Sequence, residues 1–391
     1  MTFFTRIQRS VLYILHKADM KLLGLCLIST AFGLILIASA TNYLGPSLQR
    51  RRVIIQAVGA LLGIGAYFVM ANVDVEHLFE RWWGLFFLFG LGFIALLRWF
   101  GVDDGTGNRA WLQFPRFPTT IQPAEVVKLT YTALLAKQMA WFRENRQMKG
   151  LDSLVFPAAH AGFLFVWIYF FSQDAGSGLV YLVIYVGMAL AAGLAWYWFA
   201  IGVTGMGLVI GLLAIFEKLP TYWVRRIQLL FDHSLDPAGI GYQQTHGMLA
   251  LGSGGLFGQG LFKGIQSQSP DGLPARQTDF IFCVCGEELG MVGCLVIIVL
   301  EFLLVYRCFQ TARLARSSMD GLICIGFASM LIFQTVENIG MCLFVMPVIG
   351  LTLPFFSYGG SSIVTLYAAM GMVSGVRSRT LPDWLRMTNK T

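Results

Sequence analysis

Long apolar blocks separated by short polar segments run along the whole chain. The blocks are about 20 residues long, the length that a helix needs to cross a hydrocarbon core of roughly 30 Å. The pattern predicts an all-α integral membrane protein in which about ten transmembrane helices form one bundle. The predicted spans are about residues 22–42, 53–71, 82–100, 121–141, 154–172, 177–195, 198–216, 279–305, 321–345 and 357–376.

The chain is predicted to be a single polytopic membrane domain over residues 1–391, because spans in one bilayer pack into one bundle. The apolar run from Ser177 to Phe216 is long enough for two helices and divides near Ala195. The fourth span has the weakest apolar pattern, since it opens with polar residues and carries Lys128.

Composition agrees with a membrane protein. Of 391 residues, 56% are hydrophobic and only 13% are charged, whereas a soluble domain has about 25% charged residues. The net charge of +7 does not indicate nucleic-acid binding, because the basic residues form short clusters between apolar spans. The seven cysteines form no C-x-x-C pair and lie mostly in apolar runs, which favours packing over metal or disulfide sites.

Charge also predicts the orientation. An even number of spans places both termini on one side, and short basic loops mark that side as cytoplasmic. The basic N-terminal segment has no cleavage pattern typical of a signal peptide. One short outer loop carries Arg50, Arg51 and Arg52 against this trend, so these arginines either hold an anion or contact lipid headgroups. The cytoplasmic basic residues are Arg6, Arg9, Lys17, Lys21, Arg143, Arg146, Lys149, Arg307, Arg313, Arg316, Arg377, Arg379, Arg386 and Lys390.

The one long connection, residues 217–277, is predicted on the outer face. Its segment 221–231 mixes aromatic residues with Arg225 and Arg226, as interfacial helices do. Its segment 252–264 is rich in glycine, which permits tight turns and close backbone approach. That segment lacks the spacing of a nucleotide-binding loop. We expect much of a substrate site to be built in this connection.

Ionisable residues inside spans are costly, so a functional role is the first hypothesis. Glu125 and Lys128 are three apart and share a helix face, either as a neutralising pair or as part of a polar cavity. Asp174, at the mouth of the sixth span, is either solvated or a helix cap. Asp279 opens the eighth span directly after the outer loop, as a base or as a cap.

Further polar residues lie deeper in the last spans. Helical periodicity turns Glu287 and Glu288 away from each other, so these acids and Asp279 cannot all line one stripe. Gln334, Glu337 and Asn338 share a face of the ninth span and are predicted to form interhelical hydrogen bonds. These features define a bundle with an outward-facing polar cavity, which fits a transporter, a lipid-handling enzyme or a scaffold.

Several motifs, in order along the chain, resemble the SEDS family of shape, elongation, division and sporulation proteins, which includes RodA and FtsW. The Asp-Pro-x-Gly-x-Gly-Tyr pattern at 236–242 and Gly-Ile-Gln-Ser-Gln at 264–268 look more like RodA than FtsW. The other matching segments are 122–125 (QPAE) with Lys128, 173–176 (QDAG), 249–260 (LALGSGGLFGQG), 278–290 (TDFIFCVCGEELG) and 354–362 (PFFSYGGSS).

The sequence departs from the family pattern at two places. The family usually has Pro-Glu-x-His-Thr-Asp before the eighth span, whereas residues 274–279 here are Pro-Ala-Arg-Gln-Thr-Asp. This puts in doubt any role for the missing Glu and His, but Asp279 remains. Ala124 replaces the usual Ser before Glu125, which leaves Glu125 and Lys128 in register.

The resemblance implies a peptidoglycan glycosyltransferase in the bacterial cytoplasmic membrane. Such proteins polymerise lipid II at the outer face, for cell elongation, shape or division. They release undecaprenyl pyrophosphate and work with a class B penicillin-binding protein, a transpeptidase. A lipid II flippase, whose polar groups must continue through the bundle, and a non-catalytic scaffold, which would tolerate loss of the acid, are the alternatives.

The resemblance also implies roles for single residues. The acceptor hydroxyl must lose a proton as it attacks, and Asp279 matches the position of the general base. Arg52, Arg109 and Lys128 match basic positions suited to the pyrophosphate, and Glu125 and Asp174 complete the expected substrate-binding set. A divalent cation, Mg²⁺ or Mn²⁺, could share the pyrophosphate contact, but the sequence shows no ligand cluster that requires one.

Overall fold

The computed structural model describes residues 18–102, 108–114, 120–145, 148, 150–215, 221–232, 239 and 241–380. The basic N-terminal segment up to Lys17, the Asp236-Pro237 pair and the C-terminal tail lie outside the described residues, as do Arg146 and Lys149. In chain order the helices are α1 Met20–Ala40, α2 Pro46–Asn72, α3 Val75–Ala95, α4 Leu97–Phe100, α5 Pro123–Glu144, α6 Leu151–Ser172, α7 Ala175–Ala192, α8 Trp196–Ile215, α9 Thr221–Phe231, α10 Tyr242–Gly254, α11 Ile265–Gln268, α12 Ile281–Arg313, α13 Ser318–Cys342 and α14 Gly360–Thr380.

Several helices begin where the sequence supplies a cap or a proline. The side chain of Asp19 accepts hydrogen bonds from Lys21 N and Leu22 N at the start of α1. Asp174 caps α7 through Ser177 N at 3.0 Å. Proline occupies the first position of α2 and of α5, where its missing N–H leaves no donor unsatisfied.

All ten predicted spans overlap helices of at least 18 residues. Within the described residues, seven helices are long and apolar enough to cross a membrane: α1, α2, α3 extended through α4, α6, α7, α12 and α13. The fourth, seventh and tenth predicted spans coincide with α5, α8 and α14. A multi-pass helical membrane protein is therefore confirmed, and the count of ten and the orientation of the termini stay predictions. The division near Ala195 is confirmed, since α7 ends at Ala192 and α8 begins at Trp196.

The helices differ in how deeply they lie in the bundle. Of the 18 most apolar consecutive residues of α13, 61% are buried, against 17% in α3 with α4. Helix α13 is therefore central in the bundle and α3 is peripheral. The helices α2 and α14 pack closely through glycines on both sides. A Cβ at Gly63 would collide with Tyr367, and one at Gly371 would collide with the backbone of Tyr67. Small residues at the contact between two helices allow this close approach in membranes.

The predicted close backbone approach of the glycine-rich segment 252–264 is confirmed, while its position on the outer face stays a prediction. Gly258 has φ +80° and Gly260 φ +102°, conformations that side chains disfavour. The amide of Gln259 donates to Glu287 O, and that of Gly260 donates to Glu288 O, both at 2.9 Å. The loop backbone therefore lies directly on α12, and the predicted helix at 221–231 is present as α9.

Helix α12 is not one straight span. It is broken at Gly290, with φ +69° and ψ −165°, and a Cβ there would meet the backbone of Leu256 and Gly258. A two-stranded hairpin, β1 Gly101–Val102 with β2 Trp111–Leu112, pairs Gly101 with Leu112 and Val102 with Trp111. It forms part of the connection between α4 and α5.

Candidate active site

Asp279 lies in a half-buried turn before α12. The helix begins at Ile281 with Phe280 as its cap residue, so the interpretation of Asp279 as the helix cap is wrong. The turn is held from α13 by Asn338, whose Nδ2 donates to Asp279 O at 2.8 Å. Carboxylate Oδ2 lies 3.9 Å from the position that a Cβ would take on Gly350. The side chain thus approaches the segment 343–359 between α13 and α14.

The segment 343–359 also holds the turn from its other side. Ser357 Oγ donates to Thr278 O at 2.6 Å, and Tyr358 N donates to Gln277 O at 2.8 Å. Backbone polar groups that are paired in this way are costly to displace. The carbonyls of Gln277, Thr278 and Asp279 are therefore fixed by two distant parts of the chain, α13 and the segment 343–359.

Arg52 reaches the same segment from α2. Its guanidinium carbon lies 5.9 Å from the centre of the Tyr358 ring, close enough for a cation–π contact. One turn further on, Gln56 Oε1 accepts from Gly359 N at 2.9 Å and Gln56 Nε2 donates to Ser357 O at 3.3 Å. Among the described residues, the buried Arg52 Nη1 has no hydrogen-bond partner. Arg52 therefore joins the Asp279 region, with one donor left for a ligand.

Glu125 and Lys128 form a buried ion pair of 2.6 Å on α5, which confirms that they face each other. Asp174 lies nearby, since the charges of Lys128 and Glu125 both act on it. Its Oδ2 accepts from Ser177 Oγ at 2.6 Å and from Gln122 Nε2 at 3.3 Å. Burial raises the pKa of Asp174 above its ordinary value. Of the two interpretations of Asp174, the helix cap is confirmed, and the residue is buried.

This second cluster connects to the first through α14 and the segment before it. Gln122 N donates to Ser361 Oγ at 3.3 Å, and Gly176 packs against Ile349 O. The structure therefore brings Arg52, Glu125, Lys128, Asp174 and Asp279 to one end of the bundle, around residues 343–361. The polar atoms there suit an anionic ligand and a proton transfer.

Arg109 joins this end through its backbone. Its amide donates to Ser172 O at 2.9 Å, just before Asp174, and its side chain is exposed. A role in substrate binding stays a prediction for this residue.

Arg276 is a residue whose role the sequence did not indicate. It is buried, and its guanidinium donates to the carbonyls of Leu273 at 2.6 Å, Ser267 at 2.6 Å and Ser269 at 2.8 Å. It also lies 3.9 Å from the centre of the Tyr43 ring. Arg276 therefore holds in place the loop residues 267–273, which lead into the Asp279 turn.

The side chains of Glu287 and Glu288, on α12, bind the same loop. Glu287 accepts from Gln266 N at 2.6 Å and Ser267 N at 2.8 Å. Glu288 accepts from Ser267 Oγ at 2.9 Å and from Ser39 Oγ at 2.5 Å. Both acids therefore bind the loop before α12, and the signal that could have indicated this is their position in the matching family segment.

Of the three polar residues predicted to bridge helices from α13, Asn338 does so. Its Nδ2 donates to Asp279 O and to Leu351 O, both at 2.8 Å. In the described part of the chain, no group of three or more His, Cys, Asp and Glu could hold a metal ion. A divalent cation therefore stays a prediction.

These helices and this cluster define a class: a multi-pass membrane protein with a carboxylate, arginine and ion-pair site at one end of its bundle. The chain belongs to the FtsW, RodA and SpoVE family, described as "Cell cycle protein", whose sequence model matches residues 20–380. The resemblance drawn from the motifs is thereby confirmed.

Similar proteins agree with this family. The probable peptidoglycan glycosyltransferase FtsW of Tolumonas auensis is 33% identical over 365 residues, 91% of each chain. Stage V sporulation protein E of Bacillus subtilis is 33% identical over 82% of this chain and 85% of its own. These names do not separate a RodA-like from an FtsW-like chain, so the RodA preference stays a prediction.

Solved structures are similar over nearly the whole chain. One chain of a peptidoglycan synthase complex, described for the structural coordination of polymerization and crosslinking, matches with TM-score 0.77 and 30% identity, covering 92% of this chain and 97% of its own. The rod shape determining protein RodA of Thermus thermophilus matches with TM-score 0.64 and 27% identity, covering 94% and 98%.

Proposed function

We propose that this chain is a peptidoglycan glycosyltransferase that polymerises lipid II at the outer face of the cytoplasmic membrane. Family membership and the names of its relatives support the activity. The observation that carries the residue assignment is the convergence of Asp279, Arg52 and the buried Glu125–Lys128 pair around residues 343–361.

The reaction needs a base and a cationic environment. The acceptor sugar hydroxyl loses its proton to the Asp279 carboxylate while its oxygen forms a bond to the anomeric carbon of the donor. The bond from that carbon to the pyrophosphate breaks, and the electron pair leaves with undecaprenyl pyrophosphate. Arg52, with a buried donor left over, and Lys128 are the groups we assign to the departing negative charge.

The orientation and the partner belong to the same proposal. Both termini lie in the cytoplasm, which places the end of the bundle with Asp279 on the outer face, where lipid-linked disaccharide is polymerised. The partner is a class B penicillin-binding protein that cross-links the new strands. The similarity to one chain of a peptidoglycan synthase complex supports such an assembly.

The test compares glycan-strand formation from lipid II by the purified wild type and the Asp279→Asn variant, each with its cognate partner. Asparagine has nearly the same shape but cannot accept the proton. We expect a rate loss of about 10²–10⁴-fold, the usual contribution of a general base. Asp271→Asn is the matched control, because Asp271 is exposed in the same outer loop.

Three results would contradict the proposal. Wild type that makes no glycan but moves lipid II between leaflets is a flippase. Asp279→Asn that keeps more than about a tenth of the wild-type rate excludes this residue as the base. Partner binding without any polymerisation by the wild type indicates a scaffold.

A further inference from the structure

Glu337 is a buried acid beside the candidate base. It lies on α13, directly before Asn338, whose side chain donates to Asp279 O. Its side chain is 3% exposed. Among the described residues, neither carboxyl oxygen has a hydrogen-bond partner. The Ile349 backbone N–H lies near this carboxyl but does not meet hydrogen-bond geometry. An acid in this position is not explained by helix packing.

Two charged residues act on Glu337 from different elements. Asp279 approaches from the turn before α12, and Arg226 from α9. In the described part of the chain these are the charged groups that face it. Two carboxyl groups close together in a poorly solvated site do not both ionise readily, because each charge opposes the other.

The two acids differ in how well water reaches them. Asp279 is half-buried, whereas Glu337 is almost fully buried. A carboxylate without solvent or a donor is strongly disfavoured relative to the neutral acid. Pairs of acids in such unequal surroundings separate into one that holds a proton and one that does not.

We propose that Glu337 is the second carboxyl group of the Asp279 site, and that the pair holds one proton, on Glu337. The inference rests on the proposed function, because it gives Asp279 the ionised state that a base requires. Glu337 is a positioning residue: it acts through Asp279 and stays protonated through the transfer. The proton of the acceptor hydroxyl goes to Asp279, and no net charge is added beside the leaving pyrophosphate before the reaction.

Glu301 offers a matched control elsewhere in the bundle. It lies on α12, is 2% exposed, and has two carboxyl oxygens without a partner among the described residues. Its polar neighbour is Thr335, and among the described residues neither Asp279 nor Arg226 acts on it as they do on Glu337. Glu301 and Glu337 therefore share burial and missing partners, but the charge of the proposed base acts only on Glu337 of the two.

The first measurement uses wild-type protein in detergent and needs no activity. Dicyclohexylcarbodiimide adds to neutral carboxylic acids in apolar surroundings and not to carboxylates. Mass spectrometry after treatment at pH 7 should find Glu337 labelled and Asp279 unlabelled, with the Glu337 label decreasing as the pH rises. An unlabelled Glu337 in a sample where Glu301 is labelled would overturn the proposal, whether or not the protein polymerises lipid II.

The second measurement is the pH profile of glycan formation by wild type, Glu337→Gln and Glu301→Gln. Glutamine imitates the neutral acid, so Glu337→Gln should leave the acidic limb in place. It should remove the alkaline limb, where ionised Glu337 would repel the anionic substrate. Glu301→Gln should keep both limbs.

Each other outcome has a definite meaning. An acidic limb that moves to lower pH in Glu337→Gln shows that Glu337 was ionised, because losing a negative neighbour makes Asp279 easier to ionise. Two unmoved limbs show that Glu337 does not belong to the site. If the wild type forms no glycan at all, the proposed function fails, and the labelling result stands by itself.

Discussion

The buried pair of Glu125 and Lys128 allows a structural role to be separated from a substrate role. Lys128 Nζ lies 2.6 Å from Glu125 Oε1, and the two side chains are 1% and 7% exposed. At an effective dielectric constant of roughly 20, charges at that distance attract by about 6 kcal/mol. Desolvation of several kcal/mol per ion offsets this attraction. The intact pair therefore adds little to the free energy of unfolding compared with two neutral residues. Removing one partner leaves a single buried charge, which lowers the free energy of unfolding strongly.

The single variants define the size of the effect. Lys128→Met leaves a buried carboxylate without a partner, and this carboxylate can become neutral by taking up a proton. Neutralising an ordinary glutamate at pH 7 costs about 3.7 kcal/mol, which is the upper limit of the destabilisation by this variant. Glu125→Gln leaves a buried ammonium, whose ceiling is about 4.6 kcal/mol. Glutamine still offers an acceptor to Lys128 Nζ, so we expect roughly 2–3 kcal/mol for this variant.

The double variant Glu125→Gln with Lys128→Met should lie within about 1 kcal/mol of wild type, because no charge is left unpaired. Thermal unfolding of the four proteins in detergent measures the cycle. A double variant that is destabilised by the sum of the two singles would refute the reasoning, since the charges would then be independent.

The same double variant tests the substrate role. If Lys128 also contacts the pyrophosphate, the stable double variant should polymerise lipid II at least about ten-fold more slowly, the loss of one charge-assisted contact. Normal kinetics in a normally stable double variant would make the pair purely structural.

Three further predictions follow from the structure. Arg52→Gln should lower lipid II turnover about ten-fold or more without a change in stability, and the exposed Arg50→Gln is its control; equal turnover of the two variants would remove Arg52 from the site. Arg276→Met should strip the partners from buried carbonyls of the loop and destabilise it by about 2–4 kcal/mol, seen as faster chymotrypsin cleavage within 255–275, whereas the exposed Lys263→Met should be cleaved at the wild-type rate. Burial raises the pKa of Asp174, so the contribution of this residue to stability is present at low pH. The contribution is lost as the pH rises from the ordinary aspartate pKa, about 3.9, through the raised pKa of the folded state. The thermal unfolding temperature should therefore decline less steeply with rising pH for Asp174→Asn than for wild type.

The local parts of this fold could be predicted from the sequence. Apolar length set the helices, and the break near Ala195 followed from an apolar run too long for one span. The glycine-rich loop was expected to allow close backbone approach, and Gly258 and Gly260 do so. Each of these features depends on residues within one or two turns of each other.

The site depended on contacts between distant residues. Gln56 binds Ser357 and Gly359, about 300 positions away, and no local pattern indicates such a pairing. The motif at 354–362 indicated that this segment matters, but it did not indicate which residues the segment contacts. The break of α12 at Gly290 was also missed, because glycine within an apolar run is compatible with a straight helix in a membrane.

The roles of Glu287 and Glu288 show why periodicity alone failed near the site. Neighbouring residues on a helix point about 100° apart, so the two acids were expected to serve different faces. Both nevertheless bind Ser267, one through its amide and the other through its hydroxyl, because the loop wraps around the helix. Their charge is met by amide and hydroxyl donors, and that of Glu287 also by the nearby Arg276. Glu287 and Glu288, which take no part in the proposed reaction, therefore hold the loop that leads to Asp279, the proposed base. A base that is fixed in position before the substrate binds needs no reorganisation during proton transfer.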